Sequence, residues 1–266
     1  ARILPPGSTY ARLDSTHTGS QETGRVFGRH NRFDGLFHQW FALDVSRGIR
    51  SGWEAGARFT LAGWDESKDR FFLFDRKRRP LVRFENTVIQ GTGPSRRHFN
   101  LADVVLHGKG TLSEGSSGDL ALAVSARLPV GRPRDLINAG TYDLNFTLLG
   151  TREVGRFTLH ANLGAGIPLG PQNLFIPQDD IDLDPFVHGG VALNARVKKD
   201  LSVGIQVEAN SSAFGDVPFR DGTPVTTTLG VRKISGGWIF EGGGGVGLTS
   251  RSSSDYTIFV AVGRLF

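Results

Sequence analysis

The sequence predicts an all-β fold: a single transmembrane, antiparallel, up-and-down β-barrel of about twelve strands. Three observations carry this. Apolar and polar residues alternate with a period of two in segment after segment, short and long connections alternate between those segments, and the last segment ends on an aromatic residue, Phe266.

Composition narrows the field first. The chain has 266 residues, no Cys and no Met, 36 Gly and 12 Pro. No apolar run approaches the roughly 18 residues that a membrane-spanning helix needs, so a helical membrane protein is excluded. The lack of Cys removes disulfides, thiolate catalysis and Cys-ligated metals. A chain that begins at Ala1 and lacks an initiator Met fits an exported protein whose signal peptide has been removed. Lys and Arg total 31 against 26 Asp and Glu, a net charge of +5 with a pI near 9.9, which admits nucleic acid, an acidic surface or an acidic solute as partner until the charges are placed.

The segments read as strands are 8–16, 35–46, 53–64, 99–112, 119–129, 140–150, 156–168, 185–197, 201–210, 225–232, 238–248 and 256–266. In the third, Ala55, Ala57, Phe59 and Leu61 alternate with Glu54, Arg58 and Thr60. In the fifth, Leu120, Leu122, Val124, Ala126 and Leu128 oppose Asp119, Ser125 and Arg127. The sixth and seventh set Tyr142, Leu144, Phe146 and Leu148, then Phe157, Leu159, Ala161 and Leu163, against Asp143, Asn145 and Thr147, then Arg156, Thr158, His160 and Asn162. The ninth alternates Leu201, Val203, Ile205, Val207 and Ala209 with Ser202, Gly204, Gln206, Glu208 and Asn210. Helical spacing between these strands is lacking, which favours a meander over βαβ units. The alternation alone does not separate a lipid-facing barrel from a soluble sandwich or lipocalin-like barrel, since both have one apolar face.

The connections separate them. Those after the even strands are short, at 47–52, 113–118, 151–155, 198–200 and 233–237, and most of the others are longer, above all 65–98. Short turns on one rim, long loops on the other and both termini on the short-turn side describe a barrel with periplasmic turns and extracellular loops; a sandwich has no reason to sort its loops. The chain is therefore read as one domain, 1–266, with 65–98 as a long outer-loop insertion in which Phe71 to Phe74 and Leu81 to Ile89 are candidate extra strands. The final segment places Tyr256, Ile258, Val260, Val262 and Phe266 on one face, interrupted by Arg264. It resembles the C-terminal signal by which the barrel-assembly machinery recognises its clients, and so implies that machinery as a partner in biogenesis and the bacterial outer membrane as the location. An aromatic girdle is expected from Trp53, Tyr142, Phe157, Trp238 and Tyr256.

Between Gly35 and Gly170 the chain carries Trp53-Glu54-Ala55-Gly56 after a short turn, Ser117-Gly118-Asp119-Leu120 opening a strand, and Leu128-Pro129-Val130-Gly131 followed by Gly140 and Asp143. In these motifs it resembles a family of uncharacterised bacterial outer-membrane proteins, catalogued as a domain of unknown function. The resemblance implies the barrel and supplies no activity and no catalytic residues.

The polar face gathers Arg12, Asp14, Asp44, Glu54, Arg58, Asp103, His107, Lys109, Asp119, Arg127, Asp143, Arg156, His160, His188, Arg196, Glu208, Arg232 and Glu241, seven Lys/Arg against eight Asp/Glu. All but Arg12, Asp14 and Asp119 are taken as candidate pore-lining residues. The near balance suggests cross-strand ion pairs and places the excess positive charge mainly elsewhere. The expected function is passive passage of small polar solutes; a closed scaffold docking a periplasmic or surface protein is the alternative, and a surface lipid or peptide hydrolase is the third reading.

No catalytic site, cofactor or metal is expected. His38, His107, His160 and His188 stand at no diagnostic spacing, and neither Gly-x-Ser-x-Gly nor His-Glu-x-x-His occurs. Asp179, Asp180, Asp182 and Asp184 depart from the EF-hand spacing and read as a solvated acidic loop. The longest loop carries Arg76, Lys77, Arg78, Arg79 and Arg83 among Phe71, Phe72, Phe74 and Phe84. On an outer rim this suits lipopolysaccharide phosphate better than nucleic acid, and outer-membrane lipid and lipopolysaccharide are the expected partners. Gly242 to Gly245 lies within a strand with no helix to follow, so a backbone approach, bulge or bend is expected there rather than a phosphate loop.

Overall fold

The computed structural model describes residues 3–26, 29–65, 97–115, 118–130, 142–169, 184–211, 223–249 and 256–266, with backbone alone at 19–38, 64–65 and 97–98. Twelve strands form one closed antiparallel barrel in which each pairs with its neighbours in sequence. They are β1 Thr9–Val26, β2 Arg29–Arg50, β3 Trp53–Asp65, β4 Arg97–Ser113, β5 Asp119–Pro129, β6 Tyr142–Val154, β7 Phe157–Leu169, β8 Phe186–Lys198, β9 Leu201–Asn210, β10 Val225–Ser235, β11 Trp238–Gly247 and β12 Tyr256–Leu265. Closure runs from Tyr10↔Leu265 to Gly19↔Tyr256. It is secured at the short-turn rim, where Thr9 N–H donates to the Phe266 carbonyl at 3.1 Å and Phe266 N–H to that of Thr9 at 2.8 Å. Among the described residues every strand is paired on both sides over the closed part of the barrel, as a spanning structure without water partners requires, and only the β1–β2 hairpin beyond Gly19 and His38 extends past it.

The alternation left open whether the apolar face is a core or an outer wall. Exposure decides it: Leu163 and Leu229 are 68% and 64% exposed, whereas Asp14 and Asp143 are 5% and 3% exposed. The apolar face lies outside and the charged face inside, the inverse of a soluble protein and the arrangement of a barrel solvated by lipid. Twelve strands tilted by about 40° give a backbone diameter of roughly 24 Å, and thirteen residues at ~3.3 Å rise then span roughly 33 Å along the axis, enough to cross the apolar layer.

Strand bounds differ from expectation most in the first hairpin. The segment between 16 and 35 is not a loop: β1 runs to Val26 and β2 starts at Arg29. Pairing continues to Val26↔Arg29 through an irregularity at Ser20/Glu22. The stretch Gly19 to Asp34 is mostly polar, with Val26, Phe27 and Phe33 too scattered to give an alternating signal. At the other rim β10 extends to Ser235, leaving a two-residue turn in which Gly236 and Gly237 both adopt positive φ, 56° and 81°. That is the backbone a tight hairpin of this twist demands.

One bulge positions inner side chains. Opposite Thr60 and Leu61 stand Asp103 and Leu101, so Ala102 is an extra residue in β4. Ala102 is fully buried against Ala62 and Trp40, and its neighbour Asp103 is also buried. Two successive residues thus turn inward, as a bulge allows. Of the girdle residues, Trp53, Phe157 and Trp238 stand exposed at the short-turn rim and Tyr142 at the other. The interrupting Arg264 is accommodated there too, its guanidinium 4.9 Å above the Trp238 ring and 5.0 Å above that of Phe266. The candidate strands at Phe71–74 and 81–89, and the basic residues Arg76, Lys77, Arg78, Arg79 and Arg83, lie outside the described residues.

Candidate pore lining

The inner charges are organised pair by pair. Arg12 meets Glu241 at 3.0 Å, and Arg232 donates from Nε to the same carboxylate at 2.6 Å. Arg58 donates to Asp14 at 3.1 Å, Lys109 to Glu54 at 2.9 Å, and His107 Nε2 lies 3.4 Å from Asp44, which also accepts from Ser46 Oγ at 3.1 Å. Arg127 is in direct contact with Asp143. Three of these pairs are register partners, Arg127 with Asp143, Arg232 with Glu241 and Lys109 with Glu54; the others are not. Asp44 stands opposite both Arg12 and Arg58, yet Arg58 reaches past β2 to Asp14, above the small side chain of buried Ala42.

Glycines make such reaches feasible. A Cβ on Gly56 would stand 2.6 Å from His107 Cε1, so the imidazole crosses β3 only because position 56 has no side chain. The same device recurs at Gly164, whose Cβ would fall 2.6 Å from His188 Cε1 while His188 Nε2 reaches Thr147 Oγ1 at 3.1 Å. His160 bonds Thr151 Oγ1 directly across the β6–β7 pair at 3.0 Å. Gly164→Ala is expected to break the Thr147–His188 bond and lower stability by about 1–2 kcal/mol, measurable as a shift in the urea midpoint of vesicle-embedded protein. The Gly242 to Gly245 run has a related cause. Phe259 of β12 lies across Gly243 toward Gly230 of β10, where a Cβ on Gly243 would come within 2.8 Å of the ring. The expected backbone approach is there as well: a Cβ on Gly243 would fall against the Leu229 carbonyl oxygen and one on Gly245 2.6 Å from that of Thr227, while the bulge is not, since the β10–β11 and β11–β12 registers pass through the run without a shift.

The paired charges line β1 to β6 and β10 to β12. Against them, at the short-turn end of β6 to β10, lies a cavity of about 540 Å³ bordered by Thr151, Thr158, His160, Asn162, Asn194, Arg196, Lys198 and Ser202, with Lys109 and Arg232 reaching in from the paired side. The N-terminal segment sits on the β2–β3 side of this mouth: Leu4 N–H donates to Glu54 Oε2 at 2.8 Å, and Gly7 N–H to the Gly48 carbonyl at 2.8 Å. Its Pro5-Pro6-Gly7-Ser8 turn, closed by Ser8 N–H to the Pro5 carbonyl at 3.1 Å, is the sequence signal for it.

The expected lining residues thus divide. Asp44, Glu54, Arg58, His107, Lys109, Arg127, Asp143, Arg232 and Glu241 are brought together in pairs; Asp103 is buried beside them; His160, His188, Arg196 and Glu208 stand on the less crowded wall. Arg156 is placed elsewhere: β7 begins at Phe157, and the Arg156 guanidinium turns back over the outer ring of Phe157 at 5.1 Å. The uncharged Asn162, Asn194, Thr158 and Ser202 were passed over because charge was the search criterion, although they share the alternating face with His160 and Arg196. Asp184 is exposed, while Asp179, Asp180 and Asp182, and the side chain of His38, lie outside the described residues. Among the described residues no three His, Asp or Glu side chains are grouped as metal ligands.

A closed twelve-stranded barrel, apolar outside and charged inside, is a transmembrane barrel of the outer-membrane class. Solved structures agree on the fold. The COG4313 outer membrane channel from Pseudomonas putida F1 superposes with a TM-score of 0.74 at 11% identity, over 99% of this chain and 97% of that one. The beta domain of the Bordetella autotransporter Brka gives 0.53 at 12% identity over 98% and 100%, and the translocator domain of the autotransporter NalP from Neisseria meningitidis 0.51 at 11% over 98% and 89%. No family model and no curated protein matches the sequence, so the resemblance to an uncharacterised family rests on its short motifs alone, while the barrel class rests on the fold.

Proposed function

We propose that this chain is a passive pore of the bacterial outer membrane for small polar solutes, with its short turns in the periplasm and its long loops outside. The observation that carries the reading is the division of the inner wall. Charge pairs are held against β1 to β6 and β10 to β12, and the space left beside β6 to β10 is a cavity of about 540 Å³ edged by hydroxyls, amides, an imidazole and the cations Arg196, Lys198 and Lys199. Such groups replace the hydration shell of a polar solute without binding it tightly enough to stop it. The likeness to a solved outer-membrane channel over nearly the whole of both chains supports the same reading. No reaction is assigned to the protein. The tight pairing of the opposite wall is the feature that favours the docking alternative, because a lumen cemented by ion pairs also serves a rigid scaffold.

Swelling of proteoliposomes in isotonic sugars and amino acids tests the proposal. Small polar solutes are expected to enter, with rates that fall steeply as solute size grows. Asn162→Trp with Asn194→Trp, which fills the cavity from β7 and β8, is expected to reduce the rate to roughly half or less. Vesicles that hold folded protein and do not swell would move the assignment to the docking role.

A further inference from the structure

On the outer wall, cations and acids are distributed with no symmetry at all. Among the residues whose side chains are described, six basic ones face outward: Arg47, Arg50, Arg152, Arg156, Lys233 and Arg264. Every one lies at the short-turn rim. Their register partners establish the direction, since Lys233 stands opposite Phe240, Arg152 opposite Leu159 and Arg264 opposite Trp238, all exposed apolar positions. At this rim none of the outward positions of the described strands holds Asp or Glu; toward the other rim β3 ends on Asp65, at an outward register position opposite Arg97. The acids at this rim sit in turns, as Glu114 and Asp200 do, or on the inner face, as Glu153 does beside the cavity.

Three of the five arginines place their guanidinium over aromatic rings: Arg50 over Trp53 at 5.1 Å, Arg156 over Phe157 at 5.1 Å, and Arg264 over both Trp238 and Phe266. Stacking occupies the face of a guanidinium and leaves the N–H donors along its edge free. The rings hold those edges at the boundary of the apolar wall, where aromatic residues settle at the headgroup level of a bilayer. A planar fork at that depth matches the oxygens of a phosphate diester, which accepts two N–H bonds from one guanidinium.

We infer that the short-turn rim is a binding girdle for anionic glycerophospholipid headgroups. The phosphate is gripped by arginines held on rings, and the net negative charge of the headgroup is selected by a surface with six cations and no facing acid. The inference concerns the outer wall and holds whether or not the lumen conducts. It is also distinct from the basic sequence Arg76 to Arg83, which lies outside the described residues.

Native mass spectrometry of the folded protein, released from an uncharged detergent after titration with lipid, tests it. Wild type is expected to retain several phosphatidylglycerol molecules under conditions that strip phosphatidylcholine, with the excess falling as salt rises. The variant Arg47→Gln/Arg152→Gln/Lys233→Gln/Arg264→Gln is expected to lose that excess, by roughly fivefold in affinity per cation removed. The inward-facing Arg196→Gln is expected to leave it unchanged. If the quadruple variant does not fold, Arg152→Gln/Lys233→Gln, which removes no stacked ring partner among the described residues, reads the same effect in part. Equal retention of the two lipids by wild type, an unchanged excess in a folded variant, or preference for lipid A over phosphatidylglycerol would each overturn the proposal.

Discussion

Arg127→Leu is expected to lower the stability of the barrel by about 3 kcal/mol, the largest loss from removal of any single inner charge. The reason lies in its partner. Asp143 is 3% exposed and its carboxylate is held by Arg127 across the β5–β6 pair. Nearby Asp103, also inward and buried, has one carboxylate oxygen with no hydrogen-bond partner. Removing the guanidinium leaves two acids in a confined space with nothing to offset them, and a buried charge that has lost its partner costs far more than the pair contributed. Asp143→Leu in the same chain is expected to restore most of the loss, because the deserted charge goes with it. Urea titration in vesicles, followed by tryptophan emission, measures both; a single variant within about 1 kcal/mol of wild type would mean that Arg127 does not hold this corner.

Gly243→Val and Gly242→Val are expected to behave as opposites although the positions are adjacent. At position 243 a Cβ would fall against the Leu229 carbonyl oxygen, 2.8 Å from the Phe259 ring and 2.9 Å from Gly230 Cα, so both the ring and the β10 backbone must move. Overpacking of this kind costs about 3 kcal/mol, and since three strands meet there the variant is expected to remain largely unfolded. At position 242 the nearest atoms would be 3.7 and 3.8 Å away, ordinary contacts on the lipid-facing wall. That substitution is expected to stay within about 0.5 kcal/mol of wild type. Gel mobility with and without heating separates folded from unfolded chains; equal folding of the two variants would contradict the role given to Phe259.

The legible part of the fold was the part in contact with lipid. Where a strand has lipid on one side and polar groups on the other, the period of two is enforced, and β5 at Asp119–Pro129 and β9 at Leu201–Asn210 have the expected bounds. Where β1 and β2 continue into a mostly polar sequence, the constraint lapses and with it the signal, so the hairpin beyond residue 16 read as a loop. Parity placed the inner charges, and register gave the partners of Arg127, Arg232 and Lys109 but not those of Arg58 or His107. Arg58 stands opposite Asp44 in register and binds Asp14, because the stem of an arginine is long enough to cross a strand and Ala42 leaves it room. Arg156 misled for a related reason: at the start of β7 a long side chain is free to turn back onto the outer ring of Phe157. The bulge at Ala102 has no marker in the sequence, since alanine suits either face.

The account rests most heavily on a lumen that is passable between the paired wall and β6 to β10. Single-channel recording of the detergent-folded protein in a planar bilayer tests this directly. Steady unitary conductance is expected, reduced by Asn162→Trp with Asn194→Trp and unchanged by Gly242→Val, whose side chain faces lipid. Folded protein that inserts and carries no current, or a conductance indifferent to the paired tryptophans, would contradict it.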